Sequence, residues 1–308
     1  MSEAKTKQQG AVQTTGHAWD GDIQEFNNPL PRWWLWSFYG TVLFAIIYWI
    51  IYPAWPVGST YTKGLLNTIT FTVDGEPHTT HWNTRARLIK DMQEGKEALR
   101  SKEYMEKVAA ASYAQILADP DMMAFVRSVA KGLFGDNCAA CHGSGGTGVM
   151  GLFPNLADDD WLWGGTVEDI QTTLAEGRVG YMPAFGRTFS EEQIDDVANF
   201  VLSLSGYDVA ADKLVRGKQL FTTDAGGCYY CHTAAGTGLQ SQGAADLTDN
   251  IWTVADVSGQ ADLKSNVAAV KSVVRNGVHR IMPGWQGRLD ATQIKLLTVY
   301  VHELGGGQ

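Results

Sequence analysis

The sequence has no cysteine outside two pentapeptides, few basic residues, and no charge in its one long apolar stretch. All four cysteines lie in Cys138-Ala139-Ala140-Cys141-His142 and Cys228-Tyr229-Tyr230-Cys231-His232, so none remains for a separate disulfide or thiol site. Lysine and arginine number 24 against 33 aspartates and glutamates, a formal net charge of −9. That balance argues against nucleic acid, which is met by basic patches, and suits a basic protein partner better. With 44% apolar and 19% charged residues, extensive disorder is excluded as well. The 308 residues leave room for two or three domains.

Charge is absent from Trp33 to Tyr52, twenty residues bounded by Arg32 and Pro53. As a helix this stretch would be about 30 Å long, the hydrocarbon thickness of a bilayer. Trp33, Trp34 and Trp36 crowd one end and Trp49, Tyr52 and Trp55 the other, as aromatic belts at two interfaces do. A buried core helix of this length seldom lacks every charge, so a single membrane span is expected. A cleavable signal peptide would be shorter, nearer the start and followed by small residues, so the helix is expected to stay. Lys5, Lys7 and Arg32 precede the span and Lys63 alone follows closely, which points weakly to a cytoplasmic N-terminus.

Beyond the span, residues 55–126 read as a connector, with a short strand at Thr68 to Val73 and helices at Trp82 to Arg100 and Lys102 to Leu117. His78 and His81 lie in it at i, i+3, and two unaccompanied histidines are more often solvated than metal-binding. From Arg127 the sequence repeats itself. Each copy has a Gly and Leu-Phe before its pentad, then a glycine-rich stretch and a tryptophan (Trp161, Trp252). A methionine-proline segment (Met182-Pro183, Met282-Pro283) and a closing helix complete it. The second copy carries about ten extra residues between Trp252 and Val274. Ser190 to Gln193 and Asp290 to Gln293 have the form of capping boxes. Behind them, Ile194, Val197, Val201 and Leu204 match Ile294, Leu297, Val301 and Leu304 as core stripes at helical spacing.

CxxCH is the attachment signature of c-type haem: two thiols form thioethers and the histidine supplies an imidazole to iron. Structural zinc wants its cysteine pairs closer than Cys141 and Cys228, and a thioredoxin-like motif wants a βαβ setting that this sequence lacks. Between Arg127 and Tyr207 the only histidine is His142, so another residue type must complete the first iron. Met182 precedes a proline and is thus pushed into the extended backbone of a strap. It is favoured over Met150, which suits packing at the haem edge. In the second copy Met282 is the only methionine; the repeat favours it over His279 and His302.

The expected organisation is mainly α. It comprises an N-terminal segment at 1–32, a transmembrane helix at 33–54, the connector at 55–126, and cytochrome c domains at 127–207 and 208–308. Two covalently bound haem c groups are expected. Cys138 and Cys141 anchor one and Cys228 and Cys231 the other, with His142 and Met182 on the first iron and His232 and Met282 on the second. A soft thioether favours ferrous iron, and six-coordinate iron leaves no place for substrate, so the chemistry is electron transfer. Haem attachment to CxxCH occurs outside the bacterial cytoplasmic membrane, which makes the soluble bulk periplasmic. From Arg127 to Tyr207, eleven acidic residues face four basic ones, whereas from Val209 onward nine basic residues face eight acidic ones. The first copy is therefore a candidate for steering a basic donor through Asp158, Asp159 and Asp160, unless the acids merely confer solubility.

The segment from His17-Ala18-Trp19-Asp20-Gly21-Asp22 through Asn27-Asn28-Pro29-Leu30-Pro31-Arg32, leading into the span, together with the two haem copies, resembles the dihaem CcoP or FixP subunit of cbb3-type cytochrome c oxidases. The resemblance implies a non-catalytic subunit in the inner membrane, in a respiratory complex that reduces oxygen and pumps protons. It implies electrons taken from a donor c-type cytochrome or the cytochrome bc1 complex and passed to a monohaem cytochrome c subunit and the catalytic haem-copper oxidase subunit. On it, His142 and His232 are proximal ligands and Met182 and Met282 distal ones. A dihaem peroxidase would need an exchangeable iron site, and a dehydrogenase's cytochrome subunit would leave the N-terminal segment unexplained. A haem sensor would need an output domain for which no chain remains.

Overall fold

The computed structural model describes residues 13–257 and 261–305. Contacts divide the chain into a unit ending at Arg100 and a second starting at Ser101.

The first unit opens with a hairpin, β1 (Thr14–Trp19) against β2 (Ile23–Phe26). Its turn is Asp20-Gly21, both at positive φ (51° and 88°), the usual chemistry of a tight hairpin. Sequence shows this segment only as polar, because strands exposed along their whole length carry no burial pattern. Lys5 and Lys7 lie outside the described residues. The span forms α1 (Arg32–Ile51), which no side chain caps and along which none is buried. Among the described residues it is the one helix long and apolar enough to cross a membrane. Its unburied tryptophan, phenylalanine and isoleucine side chains call for an apolar solvent.

Two further hairpins follow, β3 (Pro56–Val57) with β4 (Thr60–Tyr61) and β5 (Thr68–Val73) with β6 (Glu76–His81). Ile69 and Phe71 of β5 bury against Ala86 of α2 (Thr84–Glu94). Gly95, in extended conformation, ends α2 inside the stretch expected as one helix from Trp82 to Arg100. His78 faces the Phe71 ring at 5.3 Å, and His81 Nε2 shares a 2.9 Å hydrogen bond with the Tyr61 hydroxyl.

A third helix, α3 (Lys96–Ala110), crosses the division between units. Then come α4 (Tyr113–Ala118), α5 (Pro120–Asn137), α6 (Ala139–His142), α7 (Val167–Glu176), β7 (Gly177–Met182) and α8 (Glu191–Leu204). The second repeat supplies α9 (Ala211–Phe221), α10 (Tyr229–His232), α11 (Leu263–Asn276), β8 (Val278–Pro283) and α12 (Ala291–Leu304). Capping boxes start α8 and α12 at Ser190 and Asp290. Part of the expected connector is core: Val108 of α3 and Ile116 of α4 bury with Met123, Val126 and Ala130 of α5 and with Leu296 and Val299 of α12. Lys295 of α12 donates to the carbonyls of Val108, Ala109 and Ala111 at 3.3, 2.7 and 2.9 Å, satisfying the end of α3.

The closing helices are exchanged. Ile294, Leu297 and Val301 of α12 bury with Phe134 and Cys138 of the first repeat and with Ile170 and Leu174 of α7. Ile194, Val197, Val201 and Leu202 of α8 bury with Phe221, Val270 and Val274 of the second. Between them β7 and β8 pair antiparallel, Arg178 opposite Met282 and Met182 opposite Val278. Backbone bonds repeat the exchange: Phe185 N–H to the Val274 carbonyl (3.0 Å) and Trp285 N–H to the Leu174 carbonyl (2.9 Å). So do ion pairs, Glu191 with Arg275 (2.6 Å), Asp195 with Lys213 and Lys271 (2.6 and 2.9 Å), and Arg127 with Glu303. The short link from Ser205 to Ala210 keeps α9 beside α8, and Asp195 with Lys213, Asp196 with Arg216 and Phe200 against Phe221 hold the two helices together. Each stripe is buried as expected, yet against the other repeat, so each lobe draws on both stretches, 127–207 and 208–308.

Candidate haem sites

Each pentad closes a helical turn that carries its histidine. His142 is 8% exposed. Its Nδ1–H donates to the Pro154 carbonyl at 3.1 Å, and His232 Nδ1–H donates to the Ala245 carbonyl at 3.0 Å. A carbonyl can only accept, which fixes the tautomer and leaves each Nε2 lone pair for a metal. Burial holds both imidazoles below their usual pKa, partly offset by that bond, so both are neutral donors near neutrality.

The carbonyls reach the imidazoles because the loops fold tightly back. Gly148 and Gly238 sit at φ 65° and 72° and donate to the His142 and His232 carbonyls at 2.8 and 3.0 Å. A Cβ on Gly148 would lie 2.4 Å from the Pro154 oxygen, and one on Gly238 2.8 Å from the Ala245 oxygen, so a side chain would displace the acceptor. Sequence showed glycine-rich loops without revealing this purpose, since a backbone acceptor leaves no residue-type signature. The residue after His142 is Gly143, whereas Thr233 follows His232 at φ 63° and ψ 164°, a region otherwise left to glycine. Its hydroxyl answers part of that strain by accepting from the Thr237 N–H at 3.2 Å.

Burial pushes the Cys138 and Cys228 thiols up to about 11. They are protonated at neutral pH, the reverse of the depressed thiol of a thioredoxin-like site. Cys138 lies in the cluster with Phe134 and Leu174, and Cys228 packs on the cluster with Phe221 and Val274. Cys141 is exposed and Cys231 half-buried. Haem fits these surroundings. Val149 and Leu152 present apolar surface beside the first pentad, and the Phe153 ring lies 6.4 Å from His142. Trp161 and Trp252, which sequence marked as repeat positions, have buried Nε1–H groups with no acceptor among the described residues. An unsatisfied buried donor costs about 1–3 kcal/mol, and a haem carboxylate is the acceptor such a donor calls for.

The methionines depart from the pairing expected within each repeat. Met182 packs on the cluster that also holds Cys228 and Trp252, and Met282 on the one with Cys138 and Trp161. Each strap thus faces the other repeat's pentad, for the same reason that the closing helices are exchanged. Met150 is 56% exposed. His279 points outward from β8 with its ring 6.2 Å from Tyr181, and His302 is half-buried on α12.

Near the tryptophans the acidic residues are crowded. Burial first, then Asp249, Asp158 and Asp246, pushes the Asp160 carboxyl up to about 6. A carboxyl raised on folding opposes the fold when ionised, so its penalty is full above about pH 6 and disappears below the unfolded value of about 4. Asp160→Asn is therefore expected to raise the free energy of unfolding by ~1–3 kcal/mol at about pH 7.5 and by almost nothing at about pH 4. Denaturant titrations at the two pH values read this directly.

Comparison with known proteins agrees with this architecture. Residues 11–59 match the family model for the N-terminal domain of cytochrome oxidase-cbb3, FixP. Residues 128–201 and 212–301 match that for cytochrome c oxidase, cbb3-type, subunit III. The chain is 43% identical to the cbb3-type cytochrome c oxidase subunit FixP of Azorhizobium caulinodans, over 97% of this chain and 95% of that one. It is 37% identical to subunit CcoP of Azospirillum brasilense and 38% identical to subunit CcoP of Cereibacter sphaeroides, each over 100% of both chains. With one apolar N-terminal helix and tandem cytochrome c-type domains that imply covalently bound haem c, the chain belongs to the FixP/CcoP family, subunit III of the cbb3-type cytochrome c oxidases.

Proposed function

We propose that this subunit carries electrons through two c-type haems, one bound by Cys138 and Cys141 and the other by Cys228 and Cys231. His142 and His232 would hold the two irons, each through the Nε2 lone pair that the Nδ1–H bond to the carbonyl behind it leaves free. The packing of the straps supports a crossed set of distal ligands, Met282 for the His142 iron and Met182 for the His232 iron. Haem bound in this way supplies one-electron redox chemistry and leaves no open position for substrate. The chain's own residues exclude water, hold the ligands and set the charge around them. The subunit itself then reduces no oxygen: α1 contains no histidine with which to build a haem-copper centre.

Residues 1–32 lie on the cytoplasmic side, α1 spans the inner membrane, and the haem lobes are periplasmic, where covalent attachment takes place. Electrons arrive from a donor c-type cytochrome or the cytochrome bc1 complex and leave through the monohaem cytochrome c subunit towards the catalytic haem-copper subunit. The observation that carries this reading is the duplicated histidine geometry, with the same bond to a carbonyl and a methionine strap facing each pentad. In the intact complex, replacing Cys228 and Cys231 with alanine should abolish oxygen uptake driven by a reduced donor cytochrome. A small artificial reductant that feeds the catalytic subunit directly should still support turnover. Undiminished donor-driven uptake in that variant would exclude the second haem from the route.

A further inference from the structure

Along β8, Val278, Arg280 and Met282 are half-buried while His279, Ile281 and Pro283 are exposed. Arg280 therefore shares the inward face of the strap with Met282. Among the described residues no carboxylate pairs with it, and its one hydrogen bond is long, 3.5 Å from the guanidinium to the Thr253 carbonyl. Other bases of the two repeats are differently placed. Arg216, Arg275, Lys213 and Lys271 hold carboxylates, and Arg178 donates to the Thr173 hydroxyl at 2.9 Å while lying over the Trp163 ring. A half-buried guanidinium is destabilised by desolvation unless an anion answers it.

The surroundings of Arg280 indicate where that anion belongs. The Thr253 carbonyl also accepts from Gly151 N–H at 3.3 Å, so it joins the loop behind the first pentad to that behind the second. The preceding residue, Trp252, has a buried Nε1–H with no acceptor among the described residues. Trp252 packs on the cluster that also holds Cys228, so an unanswered cation reaches the residue next to an unanswered donor of the second pentad's lobe, and the prosthetic group read from the pentads carries two carboxylates. We propose that Arg280 is a positioning residue that binds a carboxylate of the haem held by Cys228 and Cys231, and that its charge raises the potential of that haem above what the ligands alone would give. The inference rests on the presence of haem at the second pentad. The repeat offers no counterpart, because Gly180 occupies the matching position on β7 and lies opposite Arg280 in the ladder. Arg280 accordingly makes the two haems unequal.

The test is a spectroscopic redox titration of the full-length, haem-loaded subunit. A nearby cation favours the less positive ferrous state, so its removal lowers the potential. Arg280→Gln should shift the reduction equilibrium of one haem by about tenfold, ~59 mV for one electron, and move the other less. Arg280→Lys should keep most of the wild-type potential, which a purely structural role would not demand. Two unchanged potentials in Arg280→Gln at full haem content would overturn the proposal, as would an equal fall in the glutamine and lysine variants. If the glutamine variant does not load haem, the lysine variant decides: wild-type potentials support the proposal and a tenfold shift overturns it. A wild-type chain without covalent haem, seen by its absorption spectrum, would sink the cofactor reading itself and is distinguishable from both.

Discussion

Leu297→Ala is expected to loosen the lobe around the first pentad and to spare the lobe around the second, although Leu297 lies in the second repeat. The side chain is 1% exposed and packs with Phe134, Cys138, Ile170 and Leu174. Truncating a leucine in such a place typically costs ~2–5 kcal/mol, made up of lost transfer energy and the cavity left behind. Hydrogen exchange resolves where that loss falls, because local opening reports the stability of each element separately. Protection should drop in α5 and α7 and persist in α9 and α11. The reciprocal change, Leu202→Ala in α8, removes a side chain that is 0% exposed and packs with the second lobe. Its effect should fall on α9 and α11. Leu297→Ala acting chiefly on α9 and α11 would mean that each closing helix serves its own repeat.

Sequence revealed which faces are buried better than what buries them. The uncharged run became α1, the two capping boxes start α8 and α12, and the stripes behind them are core, because these signals are local. The partner of a stripe is not local. Leu297 has the same spacing from its neighbours whichever repeat it faces, and the exchange follows from the short link after α8 and from the pairing of β7 with β8. The small hairpins of the first unit stayed hidden for a different reason: β1 and β2 are exposed throughout and carry no alternation to read.

The uneven charge of the two repeats has a structural cause that composition does not show. Glu191, Asp195 and Asp196 of α8 hold Arg275, Lys213, Lys271 and Arg216 of the second repeat. Much of the imbalance is therefore internal pairing between the two halves of one lobe. Asp196 is 2% exposed and its carboxylate takes two bonds from Arg216, at 2.7 and 2.9 Å. It serves the exchanged packing rather than a surface field. Within the run proposed to steer a basic donor, Asp158 and Asp160 are half-buried, which leaves less of their carboxylate surface facing solvent than the count suggests.

The distal ligands give the crossed assembly its sharpest consequence. With Cys228 and Cys231 replaced by alanine, the chain carries haem at the first pentad alone, so any change in the iron spectrum belongs to the His142 site. Met282 packs beside Cys138 and Met182 beside Cys228, hence the two methionines should behave in opposite ways in this chain. Met282→Leu should abolish the near-infrared band of methionine-ligated ferric iron, lower the potential and open the iron to carbon monoxide. Met182→Leu should leave all three properties unchanged. With Cys138 and Cys141 replaced instead, the roles of the two methionines should reverse. The measurement to make first is the near-infrared spectrum of the first-pentad chain carrying each substitution in turn. Loss of the band with Met282→Leu alone is the result predicted by crossed ligation, and loss with Met182→Leu alone would contradict it.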